Sequence, residues 1–108
     1  MSNTPKPAKA CRIEVLVDAP LLRRIKEISD AVGNRGYTVL PTLEGAGLSG
    51  EWFDERISGG AGSRVIFLTI TSASKADEFI GRLTPLLDSH GLIVTRSDVE
   101  VIRSERFQ

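Results

Sequence analysis

Four segments with β character, two amphipathic helical stripes and one long glycine-rich interval predict an α+β domain. Its core is one antiparallel sheet with two helices on one face, and the interval falls between the second and third strands as a long loop. The chain has 108 residues, enough for one modest core and too few for two domains. Residues 1–10 (MSNTPKPAKA) are polar and rich in proline and lysine, and they lack the apolar run of a signal peptide. They are expected to be a disordered tail, with a single domain over residues 11–108.

The first strand is placed at Arg12 to Val17. Ile13, Val15 and Val17 fall on one face, and Arg12 and Glu14 on the other, the alternation of a half-buried strand. Asp18 is suited to cap the helix that follows, and Pro20 to its first turn, where a missing N–H leaves no bond unmade. Leu21, Leu22, Ile25, Ile28 and Val32 recur at steps of three and four and form one apolar stripe. Gly33 or Gly36 is expected to end the helix in a left-handed conformation. A second strand is expected over Tyr37 to Leu43, opened by β-favouring Tyr37, Thr38 and Val39.

The third strand is RVIFLTIT, Arg64 to Thr71. Its two faces, Val65-Phe67-Thr69 and Ile66-Leu68-Ile70, are both apolar enough to need cover. Helices cover one, and the other calls for an oligomer interface. Ser74, with Asp77 three residues on, predicts a cap for the second helix, whose stripe is Phe79, Ile80, Leu83, Leu86 and Leu87. Pro85 is expected to kink that helix or split off its last turn, and Gly91 to stop it. Leu92 to Thr95 and Asp98 to Arg103 read as one or two short strands. The order β-α-β-loop-β-α-β is the ferredoxin-like split βαβ arrangement.

Function must come from the local features, because this fold hosts many activities. There are 14 basic and 14 acidic residues, without the basic excess of a general nucleic-acid binder. RVIFLTIT supplies only Phe67 of the aromatic pattern that RNA-recognition strands require. The single cysteine, Cys11, allows neither an internal disulfide nor a cysteine-pair metal site. No apolar run reaches the length needed to cross a membrane, and a cytoplasmic location is the default expectation. No nucleophile–base set emerges, and the lone histidine, His90, stands at a helix end.

The interval itself carries Gly45, Gly47, Gly50, Gly59, Gly60 and Gly62 inside eighteen residues. A connection this long in so short a chain is functional or disordered. Gly45, Gly47 and Gly50 match G-x-G-x-x-G, but no helix in a parallel βαβ unit follows, so the dinucleotide fingerprint fails. What remains is a set of glycines after a strand, where backbone N–H groups approach a phosphate closely. Between them Glu51, Trp52, Phe53 and Arg56 form a charged-aromatic segment suited to a partner protein.

The GYTV of the second strand, Gly45-x-Gly47 opening the loop and Arg64-Val65-x-Phe67 leading to the second helix together resemble the P-II signalling family. The resemblance spans roughly Ile13 to Arg106. It is closest to the P-II-like branch associated with bicarbonate transport and carboxysome operons, whose E-V-x tail is matched by Glu100-Val101-Ile102. It implies a non-enzymatic homotrimer that binds an adenine nucleotide between subunits. It also implies a T-loop, here 44–63, that docks on a target, often a membrane transporter. By that likeness Gly36, Tyr37 and Thr38 line the adenine pocket, and Gly45 and Gly47 approach ribose or phosphate. Arg64 stands at the far base of the loop, and Arg103 and Arg106 reach phosphates from the adjacent subunit.

Two departures narrow the expectation. The loop has no tyrosine for uridylylation, and DSHGLIVTRSD, without lysine, replaces the family's phosphate-gripping segment. Both weigh against tight triphosphate binding and 2-oxoglutarate sensing, so the implied ligand is ADP, AMP, ATP or cyclic AMP. Alternatives on the same fold are an acylphosphatase-like enzyme, which needs a catalytic Arg and Asn, and an ACT-like sensing domain, which does not require the glycine loop.

Overall fold

The computed structural model describes residues 5–47, 50–53 and 64–103. Strand β1 (Lys6–Asp18) leads through a 3₁₀ turn (Ala19–Leu21) into helix α1 (Leu22–Val32) and strand β2 (Thr38–Pro41). A small hairpin, β3 (Glu44–Gly47) and β4 (Gly50–Phe53), stands apart from the main sheet. Strand β5 (Arg64–Thr71), helix α2 (Ala73–Ser89) and strand β6 (Ile93–Arg103) complete the order. The main sheet runs β2-β5-β1-β6, and every pair in it is antiparallel. This is the expected ferredoxin-like arrangement.

Register assigns each strand residue to a face. Ile13, Val15 and Val17 pair with Thr69, Phe67 and Val65 and point to the helices. They pack there with Ile25, Phe79, Leu83 and Leu86 in one core. Phe67 and Phe79 are fully buried and lie 6.0 Å apart in a tilted pair. Each such side chain contributes roughly 1.5–3 kcal/mol by leaving water. On the opposite face Leu40 pairs with Ile66, Ile66 with Leu16, and Leu16 with Ile93. The result is an apolar rung across all four strands with no helix over it among the described residues; Leu40 is 40% and Ile93 50% exposed.

The first helix ends as glycine chemistry demands. Gly33 adopts φ 95°, and the amides of Gly33 and Asn34 bond to the carbonyls of Asp30 and Ser29 at 2.9 and 3.1 Å, a Schellman closure. At Gly91 (φ 60°) the amide of Leu92 reaches back to Leu87 in the same way, at 3.2 Å.

Several expectations are corrected. Lys6 to Ala10, assigned to a disordered tail, pair with Arg103 to Val99. The long β6 supplies a ladder that the composition of KPAKA does not announce, and the β5 side of this stretch is unpaired, where Pro7 is tolerated. Asp18 makes no side-chain cap; its carboxylate accepts from Arg64 Nε at 3.0 Å instead. Ser72, not Ser74, caps α2, accepting from the amide of Lys75 at 3.3 Å. Pro85 lies within α2, which runs unbroken to Ser89. The last strand is continuous. The glycine interval is not without structure: Glu44, Gly45, Ala46 and Gly47 pair with Phe53, Trp52, Glu51 and Gly50.

Candidate functional site

Between the end of α1 and the start of β2 the chain passes over the end of β5. The residues predicted for an adenine pocket lie on this stretch. Thr69 faces the core, and its hydroxyl donates to the carbonyl of Gly36 at 2.7 Å, fixing the turn against β5. Tyr37 stacks on the buried ring of Phe67 at 5.4 Å, and the Lys26 ammonium sits 5.2 Å from the Tyr37 ring centroid. The tyrosine is therefore held on one side while 53% of it stays exposed. A cavity of about 280 Å³ opens here, lined by Arg35, Gly36, Tyr37, Thr38, Leu68, Ile70 and Arg103. Four of the predicted site residues, Gly36, Tyr37, Thr38 and Arg103, thus line one concavity, with Arg103 supplied by the same chain and not, as the resemblance implied, by an adjacent one.

The remaining predicted residues lie elsewhere. Arg64 starts β5, six residues before Ile70, and so about 20 Å away along the strand. It is buried and paired with half-exposed Asp18, and Thr42 Oγ1 donates to its carbonyl at 2.6 Å. Gly45 and Gly47 belong to the hairpin beyond Thr42, at that same end. Glu51 is exposed on β4 opposite Ala46; Trp52 and Phe53 lie on β4, and their side chains are outside the described residues. Arg56 and Arg106 also lie outside them. Within one chain the candidates fall into two groups, one at each end of the sheet.

Sequence reasoning missed Arg35, Leu68 and Ile70 as lining residues. Leu68 and Ile70 were read only as part of an apolar face, although register brings Leu68 beside Thr38. A threonine on the core-facing side of β5 was the available signal that something polar must be held there. Arg96 also escaped notice. Its guanidinium donates to Asp77 at 2.5 Å and to the buried Cys11 sulfur at 3.4 Å. The hydrogen bond to Asp77, with that to Cys11, raises its pKa further above the ordinary value.

His90 caps α2 with its Nδ1 2.8 Å from Ser89 Oγ and does not line the cavity. Asn34, the asparagine an acylphosphatase-like reading would need, is buried and donates to Ser29 Oγ at 3.0 Å. Among the described residues no group of three His, Cys, Asp or Glu is arranged to hold a metal, and no helix is long and apolar enough to cross a membrane.

Comparison with known proteins places this arrangement. No curated protein sequence matches the chain. Among solved structures, CPII from Thiomonas intermedia K12, a nitrogen regulatory PII-like protein bound to ADP, AMP and bicarbonate, superposes with a TM-score of 0.81. It shares 16% identity, over 89% of this chain and 91% of that one. Its apo form gives 0.74 at 17% identity, covering 92% and 98%. A PII-like signalling protein from Thermus thermophilus gives 0.70 at 21% identity, covering 89% and 91%. These likenesses establish the fold. The profile of the family described as "Nitrogen regulatory protein P-II" matches residues 10–106, nearly the whole length: the chain belongs to the nitrogen regulatory protein P-II family.

Proposed function

We propose that this protein is a non-enzymatic P-II-like regulator. It assembles as a homotrimer, binds an adenine nucleotide in the clefts between subunits, and passes occupancy to a partner protein through the loop at 44–63. The observation that carries this reading is the cavity over Tyr37, where the expected adenine-lining residues converge with Arg103. At about 280 Å³ the cavity lies at the lower edge of small-molecule sites, as half of a composite site would. The complementary half, with Arg64, Gly45 and Gly47, stands at the other end of the sheet, so a second subunit must supply it. The open apolar rung is the surface through which subunits would meet.

ADP and AMP are favoured over ATP, because DSHGLIVTRSD carries no lysine after α2 and because the solved CPII holds ADP, AMP and bicarbonate. That likeness also supports the bicarbonate-associated branch, with a membrane transporter of that anion as the candidate target. Nucleotide binding would select one arrangement of the loop, and partner affinity would follow. By linkage the partner would tighten nucleotide binding equally.

The test is thermal unfolding with AMP, ADP, ATP and cyclic AMP. A ligand at a hundred times its Kd stabilises by about 2.7 kcal/mol per site, a rise of several degrees for a domain of this size. The rise is expected with ADP or AMP and is expected to be lost in Arg103→Ala. No shift with any of the four nucleotides would refute the reading.

A further inference from the structure

Two charges stand beside the apolar rung, on the face of the sheet turned away from the helices. Alternation along β1 puts Arg12 and Glu14 on that face with Leu16, because Ile13 and Val15 point into the core. Arg12 lies between Ile70 and Ser97, and Glu14 between Leu68 and Thr95. Since β1 is an inner strand, the pair sits near the middle of the face and not at its rim.

Its bonding is half complete. Arg12 Nη2 donates to Glu14 Oε2 at 2.6 Å, and both side chains stay partly exposed. Among the described residues the other guanidinium nitrogens and the second carboxylate oxygen have no partner. A guanidinium offers five N–H donors and a carboxylate two acceptor oxygens, so each group keeps bonding capacity that its own chain does not use. A concavity of about 290 Å³ opens at the pair, lined also by Thr95, Ser97 and the Arg96 that Asp77 holds.

Pressed against an uncharged surface, this pair would lose water on its open side and gain no new bond. A cation beside an anion is, however, complementary to a rotated copy of itself. Around a cyclic axis Arg12 meets the partner's Glu14, and the charges alternate in a closed ring. The neighbouring rung of Leu40, Ile66, Leu16 and Ile93 supplies apolar contact, but such contact is non-directional and leaves the register open. We propose that Arg12 and Glu14 form a reciprocal ion pair between copies of this chain and fix the register in which the open sheet faces meet. Setting register is the best-attested use of buried charges. The proposal rests on the homotrimer proposed above and names the residues that specify it.

Charge reversal in the full-length protein tests the pair. In Arg12→Glu and in Glu14→Arg like charges face each other across the contact. Both positions are partly exposed in the single chain, so each variant should fold, as circular dichroism checks. Alone, each is expected to raise the midpoint concentration of assembly by on the order of a thousandfold, read as mass by light scattering along a dilution series. Mixed in equal amounts, the two are expected to recover assembly, with both chains found in one particle by native mass spectrometry. Mixing cannot rescue a pair that acts only within its own chain, so recovery identifies contact between chains. Dissociation of each variant without recovery on mixing overturns the proposal. Wild-type mass for each variant alone, at every dilution, also overturns it and leaves the homotrimer standing. A wild type of single-chain mass throughout overturns both.

Discussion

Replacing Ile93 with glutamate tests the assembly reading directly. Ile93 closes the apolar rung at one edge of the sheet, beside Leu16 and opposite the helices, and half of it is exposed in the single chain. A glutamate there meets solvent in an isolated chain, so the fold should survive. In a trimer that buries the rung the outcome differs. Covering the exposed half of an isoleucine is worth about 1 kcal/mol, and an unpaired carboxylate held against apolar neighbours costs at least about 3 kcal/mol. The difference is about 4 kcal/mol per subunit, or roughly 12 kcal/mol for three. That lowers the association constant of three chains by roughly 5 × 10⁸, and it raises the midpoint concentration, which follows its square root, by about twenty-thousandfold. Size-exclusion chromatography with light scattering along a dilution series reads this shift. Wild type should keep three times the chain mass where Ile93→Glu, folded by circular dichroism, falls to one. Equal masses for the two proteins at every dilution would show that the rung is not the interface.

Two further substitutions address the scaffold. Phe67→Ala removes the ring that Tyr37 and Phe79 share and should cost about 3–5 kcal/mol in urea unfolding; a loss below about 1 kcal/mol would mean the site freely collapses. Ser72→Ala should destabilise by about 1 kcal/mol through loss of the α2 cap, whereas Ser74→Ala should change little, and the opposite ranking would reverse the assignment of the cap.

Local patterning made the core legible. Alternation in β1 and β5 and the helical stripes identified Ile13, Val15, Val17, Ile25, Phe67, Phe79 and Leu83, all of which are buried, because those residues obey one periodicity that no neighbour contradicts. What escaped was set by long-range partners. KPAKA has little β propensity of its own and is a strand because β6 lies alongside it. TRSD looks like a break in β6 because its residues are polar, yet this is an edge strand, and Arg96 is held by Asp77 on α2. EGAG and GEWF carry no alternation, and the hairpin they form is visible only in its pairing. Of the candidate site, Gly36, Tyr37 and Thr38 were found through the family resemblance, and the cavity they line with Arg103 could not be inferred without the register of β2 on β5. Arg64 was read as a loop-base cation. Its burial against Asp18 gives it a structural task as well.

That pairing, together with the bond from Thr42 Oγ1 to the Arg64 carbonyl at 2.6 Å, closes the chain on either side of the interval with anchors 22 positions apart. A segment whose two ends are stitched to the same sheet has already met most of its closure cost. Doubling its length would add only about 0.6 kcal/mol. Lengthening or shortening the interval between Thr42 and Arg64 is therefore expected to carry little penalty to folding. The sheet, the core and the pocket over Tyr37 would stay unchanged under such a change.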